Sequence, residues 1–238
     1  MVANYCLYGE DPVILPPNYP EGRRFSARDY ATEIAEKICM KLENEQRKME
    51  VQTLYQEAIK YASLRHQEKA QKVKGTELPY VVHLSNVTME IFMAAEHTRD
   101  FNLIFAIQVA LLHGTIEDTA TTYEDIKENF SEEIADALLA LSKDENLPKE
   151  KKIIDSLSRI RKLPKEVWAV KLADRITNLQ PPPEDWNEEK ILNYLKESEI
   201  ILKELGKGNK YLEKRLESKI SEYWNRNKKF LLNFEKQH

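Results

Sequence analysis

Three separated segments of this 238-residue chain each carry a side chain that could bind a divalent metal ion. The residues are His83 in PYVVHLSNV, His113 in LLHGTIEDT and Asp174 in VKLADRITNL. Imidazole nitrogens and carboxylate oxygens are the usual protein ligands of catalytic divalent metals. Together the three residues predict a metal-dependent hydrolase site.

The surroundings of His113 favour this interpretation over that of a structural histidine, which is the commoner role for a single histidine. A predicted helix over Leu103–Glu117 would put Glu117, four positions after His113, on the same helix face, with Asp118 beside it. His66 and His97 lack such a carboxylate, and we expect them to lie outside the metal shell.

Asp174 lies in an apolar segment, where an ionised carboxylate needs a cation or several hydrogen-bond donors. A metal ion would meet that need, but so would a buried salt bridge to Lys171 or Arg175. Asn178, one helical turn further on, favours a face that meets both metal and substrate.

The elements that position these residues are predicted to be helices throughout. The chain has only six glycines, lacks alternating β-branched segments, and repeats its apolar residues at spacings of three and four, which is typical of an all-α protein. We predict an extended proline-rich arm at 1–25, a charged helix at 26–50 begun by Ser26 as N-cap, and a helical domain at 51–238. The charged helix either continues past residue 50 or gives way to a second helix.

Further helices follow from local signals. Gly75 and Pro79 predict a turn, after which His83 would lie near a helix N-terminus, and Thr121 or Thr122 should cap a later helix. The remaining helices are predicted at 131–142, 150–161, 164–179, 187–205 and 209–235. The stretch KDENLPKEKK at 143–152 is predicted to be a solvated loop.

Charge and cysteine content exclude several classes of function. The net charge is −4, from 36 basic and 40 acidic residues, so no field of one sign would attract nucleic acid or anionic lipid. Cys6 and Cys39 have no paired spacing, and no apolar run approaches the roughly 20 residues that span a bilayer. We therefore predict a cytoplasmic protein without nucleic-acid or membrane partners.

The order of PYVVH, LLHGTIEDT and KLADRITNL, preceded by RHQEKAQKVKGTELPY, resembles the HD-type hydrolase domain of the Rel/Spo family. Residues 54–224 are similar to the stand-alone alarmone hydrolases of that family, which lack a synthetase domain. The resemblance implies a bundle of about ten helices and a single manganese ion. It also implies removal of the 3′-pyrophosphate from guanosine tetra- or pentaphosphate, and related enzymes can accept NADPH.

The resemblance also assigns roles to individual residues. It makes His83, His113 and Asp174 metal ligands, and Glu117 with Asp118 the pair that positions and deprotonates the attacking water. The residues that it places against the nucleotide are Arg65, Asn178 and Tyr194, with Lys171 as a further substrate-binding candidate.

Gly114 departs from the family pattern, which has an aspartate as fourth metal ligand at this position. Without that carboxylate we expect weak or absent activity. Three explanations are open: an engineered inactivation, a natural nucleotide-binding or regulatory homologue without activity, and an enzyme in which Asp118 or another carboxylate fills the vacancy. A phosphatase for another nucleotide, such as NADPH, is a further alternative, and a homodimer is an option for the assembly.

Overall fold

The computed structural model describes residues 27–237, and their side chains except those of 27–31, 44, 47 and 229–237. The predicted arm at 1–25 and the Ser26 cap lie outside the described residues. The helices are α1 (Ala27–Glu68), α2 (Val81–Glu96), α3 (Leu103–Leu112), α4 (Thr115–Asp118), α5 (Tyr123–Asn129), α6 (Glu132–Leu141), α7 (Lys149–Ile160), α8 (Lys165–Asn178), α9 (Glu188–Leu205) and α10 (Lys210–Gln237). In this range no strand forms beyond an isolated antiparallel bridge between Lys72 and Pro79, so the all-α prediction is confirmed.

The chain divides into two compact units, Met1–Gln52 and Thr53–His238. In the first unit the described part of α1 exposes most of its side chains, including the apolar Ile38 and Leu42. The stretch after residue 50 does not begin a second helix, because α1 runs without a break from Ala27 to Glu68.

In the second unit α2, α3 and α8 pack against one another and form the centre. Helix α3 is apolar except for Gln108, and seven of its ten residues are buried, as expected of a helix enclosed on every side. Helix α8 also packs against α9 and α10, and α6 covers α3. The two helices that carry His83 and Asp174 therefore lie against each other at the core.

Local sequence signals set the helix ends near the site. Thr122 caps α5 through a complete capping box with Asp125, as one of the two predicted threonines should. Pro164 precedes the first residue of α8, where its missing N–H costs no hydrogen bond. Among the described residues, no helix has the combination of length and apolar character that crossing a membrane requires.

Candidate metal centre and active site

His83, His113 and Asp174 meet at one point, as the sequence predicts. His83 lies in the first turn of α2, His113 directly follows α3, and Asp174 belongs to α8. The Nε2 atoms of the two histidines are 3.2 Å apart, and Asp174 Oδ1 lies 3.3 Å from Nε2 of His83 and 3.7 Å from Nε2 of His113. One ligand atom from each residue lies within 4.8 Å of the others, which is a spacing that a single metal ion can bridge.

Each of the two imidazoles has an oxygen atom near its other ring nitrogen, Nδ1. His113 Nδ1 lies 2.6 Å from the carbonyl oxygen of Ala110, which only accepts, so Nδ1 carries the hydrogen. The hydroxyl of Thr177 donates to the carbonyl of Asp174 and so can accept from Nδ1 of His83, 3.4 Å away. With the hydrogen of each ring on Nδ1, each Nε2 has a lone pair directed at the same place, and a cation bound between them would relieve the repulsion.

The Asp174 carboxylate is the anionic part of this cluster. Burial raises its pKa. Hydrogen bonds to the carboxylate from His113 and His83, when Nε2 of these rings carries a hydrogen, and the nearby ammonium of Lys171 more than offset this, so in the absence of a cation the pKa of Asp174 lies well below its usual range. Asn178 donates a 2.6 Å hydrogen bond to Oδ1, and Lys171 Nζ lies 3.6 Å from Oδ2. A metal ion and the predicted salt bridge to Lys171 are therefore compatible, since each uses a different carboxylate oxygen.

The helix predicted over Leu103–Glu117 is wrong, because the chain breaks at His113 and Gly114. Helix α3 ends at Leu112, His113 is extended, and Gly114 has φ +82°, a left-handed conformation that glycine adopts without steric cost. A new single turn, α4, begins at Thr115. His113 and Glu117 thus do not share a helix face, and the turn rather than helical spacing brings the acidic pair to the site.

Partners from distant segments hold the acidic pair. Glu117 Oε2 accepts a 3.2 Å hydrogen bond from the backbone N–H of Lys143, whose ammonium lies 3.5 Å from Oε1. Asp118 Oδ2 accepts a 3.1 Å hydrogen bond from Nε2 of Gln71. Lys143 opens the stretch predicted to be a solvated loop, so that prediction missed its contact with the site.

A cavity of about 850 Å³ adjoins the metal centre. Its walls include His83 and Asn178 from the centre, and Tyr194 from α9. It also includes Trp186, whose ring lies under the ammonium groups of Lys74 and Lys190 at 4.4 Å and 4.8 Å from the ring centroid. The two ammonium groups give this region a positive charge, which suits a ligand with phosphates. In the sequence, PPPEDW signals only a helix stop, so Trp186 went unpredicted.

Two of the predicted substrate-binding residues, Arg65 and Lys171, do not line the cavity. The Arg65 guanidinium lies over the ring of Tyr61, 5.0 Å from its centroid, and pairs with Glu68, and it is not among the residues that line the cavity. Lys171 is buried against Asp174, away from the cavity walls. The predicted roles of both residues in nucleotide binding stay predictions.

Arg175 packs against Tyr194, one of the residues that line the cavity. Its guanidinium stacks on the ring of Tyr194 at 4.2 Å from the centroid and contacts the backbone oxygen of Tyr194, Ser198 and Glu197. Burial raises the pKa of the Tyr194 phenol to about 12, so Tyr194 presents a neutral hydroxyl to the cavity.

Comparison with known proteins agrees with this geometry. Residues 58–207 match the HD domain. The chain belongs to the HD-domain family. The guanosine-3′,5′-bis(diphosphate) 3′-pyrophosphohydrolase MESH1 of Homo sapiens is 30% identical over 166 residues, which cover 67% of this chain and 89% of that protein.

Other relatives are similar over comparable or shorter regions. MESH1 of Xenopus tropicalis is 28% identical over 165 residues, 68% of this chain and 89% of that protein. A guanosine-3′,5′-bis(diphosphate) 3′-pyrophosphohydrolase of Aquifex aeolicus is 36% identical over 131 residues, 52% of this chain and 17% of that protein. A solved structure described as a metazoan ortholog of SpoT that hydrolyses ppGpp superimposes with a TM-score of 0.61 at 25% identity, covering 73% of this chain and 95% of that one.

Proposed function

We propose that this protein is a metal-dependent hydrolase that removes the 3′-pyrophosphate of guanosine 3′,5′-bis(diphosphate), yielding GDP and pyrophosphate. The observation that carries the proposal is the convergence of His83, His113 and Asp174 on one point at the edge of the cavity. The relatives named for this reaction support the choice of substrate. Manganese, the metal that the family resemblance implies, is part of the proposal.

The residues present fit a divalent metal, because two imidazoles and a carboxylate each bring one ligand atom to the same point. A bound divalent ion would make a water molecule more acidic and stabilise negative charge on the phosphate. In the proposed reaction Glu117 and Asp118 orient the attacking water and accept its proton. Asn178 and Tyr194 bind the nucleotide from the cavity side, and Lys74 and Lys190 offset phosphate charge near Trp186.

The test is release of pyrophosphate from guanosine tetraphosphate by the purified protein with added manganese, together with its metal content. Asp174→Asn keeps the shape of the side chain and removes its charge, so we expect it to abolish both manganese binding and turnover. His97→Asn is the matched control, because His97 is exposed and stacks on Tyr211 away from the metal centre. Loss of activity in the control, or full activity in Asp174→Asn, would contradict the assignment.

Because Gly114 replaces the fourth metal ligand of the family pattern, a second candidate function is nucleotide binding without turnover. The cavity and its lining do not depend on a ligand at residue 114. Tight binding of guanosine tetraphosphate without release of pyrophosphate would identify a sensor. Release of inorganic phosphate from NADPH would identify a phosphatase for another nucleotide. Cytoplasmic location and a homodimer stay predictions.

A further inference from the structure

His66 is a buried histidine with one ring nitrogen free. Only 2% of the residue is exposed, and its Nε2 has no hydrogen-bond partner among the described residues. Burial lowers the pKa of His66, which favours the neutral imidazole. A buried polar atom without a partner destabilises the folded state, so it is a place to look for a bound group.

A chain of hydrogen bonds determines which nitrogen of His66 carries the hydrogen. Asp118 is a carboxylate and can only accept, so the amide nitrogen of Gln71 faces it, at 3.1 Å. The amide oxygen of Gln71 then faces His66 Nδ1, at 2.6 Å, and it also can only accept. Nδ1 must therefore be the donor, which leaves a lone pair on Nε2.

The ring of His66 lies beside Gly114. A side chain at residue 114 would begin at a Cβ position 3.8 Å from Cε1 of His66, the ring carbon that lies between Nδ1 and Nε2. The same position lies 3.2 Å from Asp118 Oδ2 and 3.6 Å from the hydroxyl of Tyr80. Burial and the nearby carboxylates of Asp174 and Asp118 raise the pKa of the Tyr80 phenol, so its hydroxyl keeps its hydrogen.

The position next to Gly114 thus has one hydroxyl, one carboxylate oxygen and the His66 ring as its nearest neighbours. A buried water molecule needs two to four polar partners, and this surrounding offers three. A carboxylate from residue 114 would instead meet the carboxylate of Asp118.

We propose that His66 is a positioning residue of the metal centre, whose Nε2 accepts a hydrogen bond from a water molecule that takes the place of the missing aspartate ligand beside Gly114. The inference rests on the proposed metal-dependent function, but it concerns a residue that does not itself touch the metal. In this chain a water held by His66, Asp118 and Tyr80 replaces the carboxylate, and Gln71 holds His66 in the form that can accept.

Ring nitrogen-15 NMR of the metal-free protein tests the first step. We expect Nδ1 of His66 to carry the hydrogen and Nε2 to give the resonance of an unprotonated nitrogen. Gln71→Met removes the acceptor for Nδ1 at a half-buried position and should convert His66 to a mixture of the two neutral forms. A hydrogen on Nε2 in the unchanged protein would overturn the inference, whatever the metal-binding result.

Manganese titration in a double-mutant cycle tests the second step. His66→Phe should weaken manganese binding by roughly 10- to 100-fold, which is the usual effect of losing a group that orients a metal site. In a Gly114→Asp background, where a carboxylate fills the space, the same change should have less than about a threefold effect, since contacting sites are not additive. His97→Phe is the matched control, and circular dichroism verifies that each variant folds.

The results of the manganese titrations distinguish the role of His66 from the proposed metal-dependent function. Equal effects of His66→Phe in both backgrounds, or none in the unchanged protein, would overturn the role of His66 while leaving the metal centre intact. If His66→Phe does not fold, Gln71→Met takes its place in the cycle with the same expected pattern. Failure of the unchanged protein to bind manganese would overturn the proposed function, and with it this inference.

Discussion

Restoring an aspartate at residue 114 should have opposite effects on stability with and without metal. Gly114 has φ +82°, and an L-amino acid in the left-handed region costs about 1–2 kcal/mol, less for Asp and Asn than for other residues. The new Cβ would also lie 3.2 Å from Asp118 Oδ2, so that carboxylate must move. At roughly 2–4 °C per kcal/mol for a chain of this size, we expect Gly114→Asp to lower the melting temperature by about 2–8 °C in chelator.

Manganese should reverse this loss in the Asp variant. An ion present at about 100 times its dissociation constant stabilises the folded state by about 2.7 kcal/mol, and a fourth ligand lowers that constant. Gly114→Asn is the matched control, because it has nearly the same shape and backbone strain but no charge. Thermal unfolding of the three proteins in chelator and in graded manganese measures both effects.

Two results would refute the reasoning. A Gly114→Asp protein that is more stable than the unchanged one in chelator would show that the left-handed backbone imposes no strain. Equal stabilisation of the Asp and Asn variants by manganese would show that residue 114 does not face the metal centre.

Two further changes probe the acidic pair and the cavity. Lys143→Met removes the ammonium 3.5 Å from Glu117 Oε1 but keeps the hydrogen bond from the backbone N–H to Glu117. Steady-state kinetics should therefore show a several-fold fall in kcat with KM nearly unchanged. A rise in KM alone would place Lys143 in substrate binding. Trp186→Ala removes an aromatic side chain from the cavity wall and should raise KM roughly tenfold, equivalent to about 1.4 kcal/mol, with a smaller effect on kcat. The control Trp186→Phe should retain most of the affinity. An unchanged KM in Trp186→Ala would show that the substrate does not reach this wall.

The positions of the helices, and the residue types that could bind a metal ion, could be predicted because both depend on local information. Apolar spacing, the Thr122 cap and Pro164 each act within a few residues, so the predicted helix limits agree with α6 to α10 to within one or two residues. His83 and Asp174 stand out because few other side chains bind divalent metals.

Gly114 shows where local reasoning fails. Its neighbours have helical spacing on both sides, and glycine is compatible with a helix as well as with a left-handed turn. Which conformation forms depends on the packing of α3 against α2 and α8 and on the hydrogen bonds of His113, which are not apparent in the sequence.

By itself, the sequence determined an all-α chain with two imidazoles and a carboxylate suited to one metal ion. Only the tertiary structure decided how the rest of the site is built, because its hydrogen bonds join residues far apart in the chain. Gln71 reaches Asp118 across 47 positions, and Lys143 reaches Glu117 across 26. His66, which the sequence excluded from the metal shell, lies beside Gly114 because folding brings the end of α1 against the turn before α4. Such contacts depend on the summed packing of several helices, and no pattern of neighbouring residues encodes them.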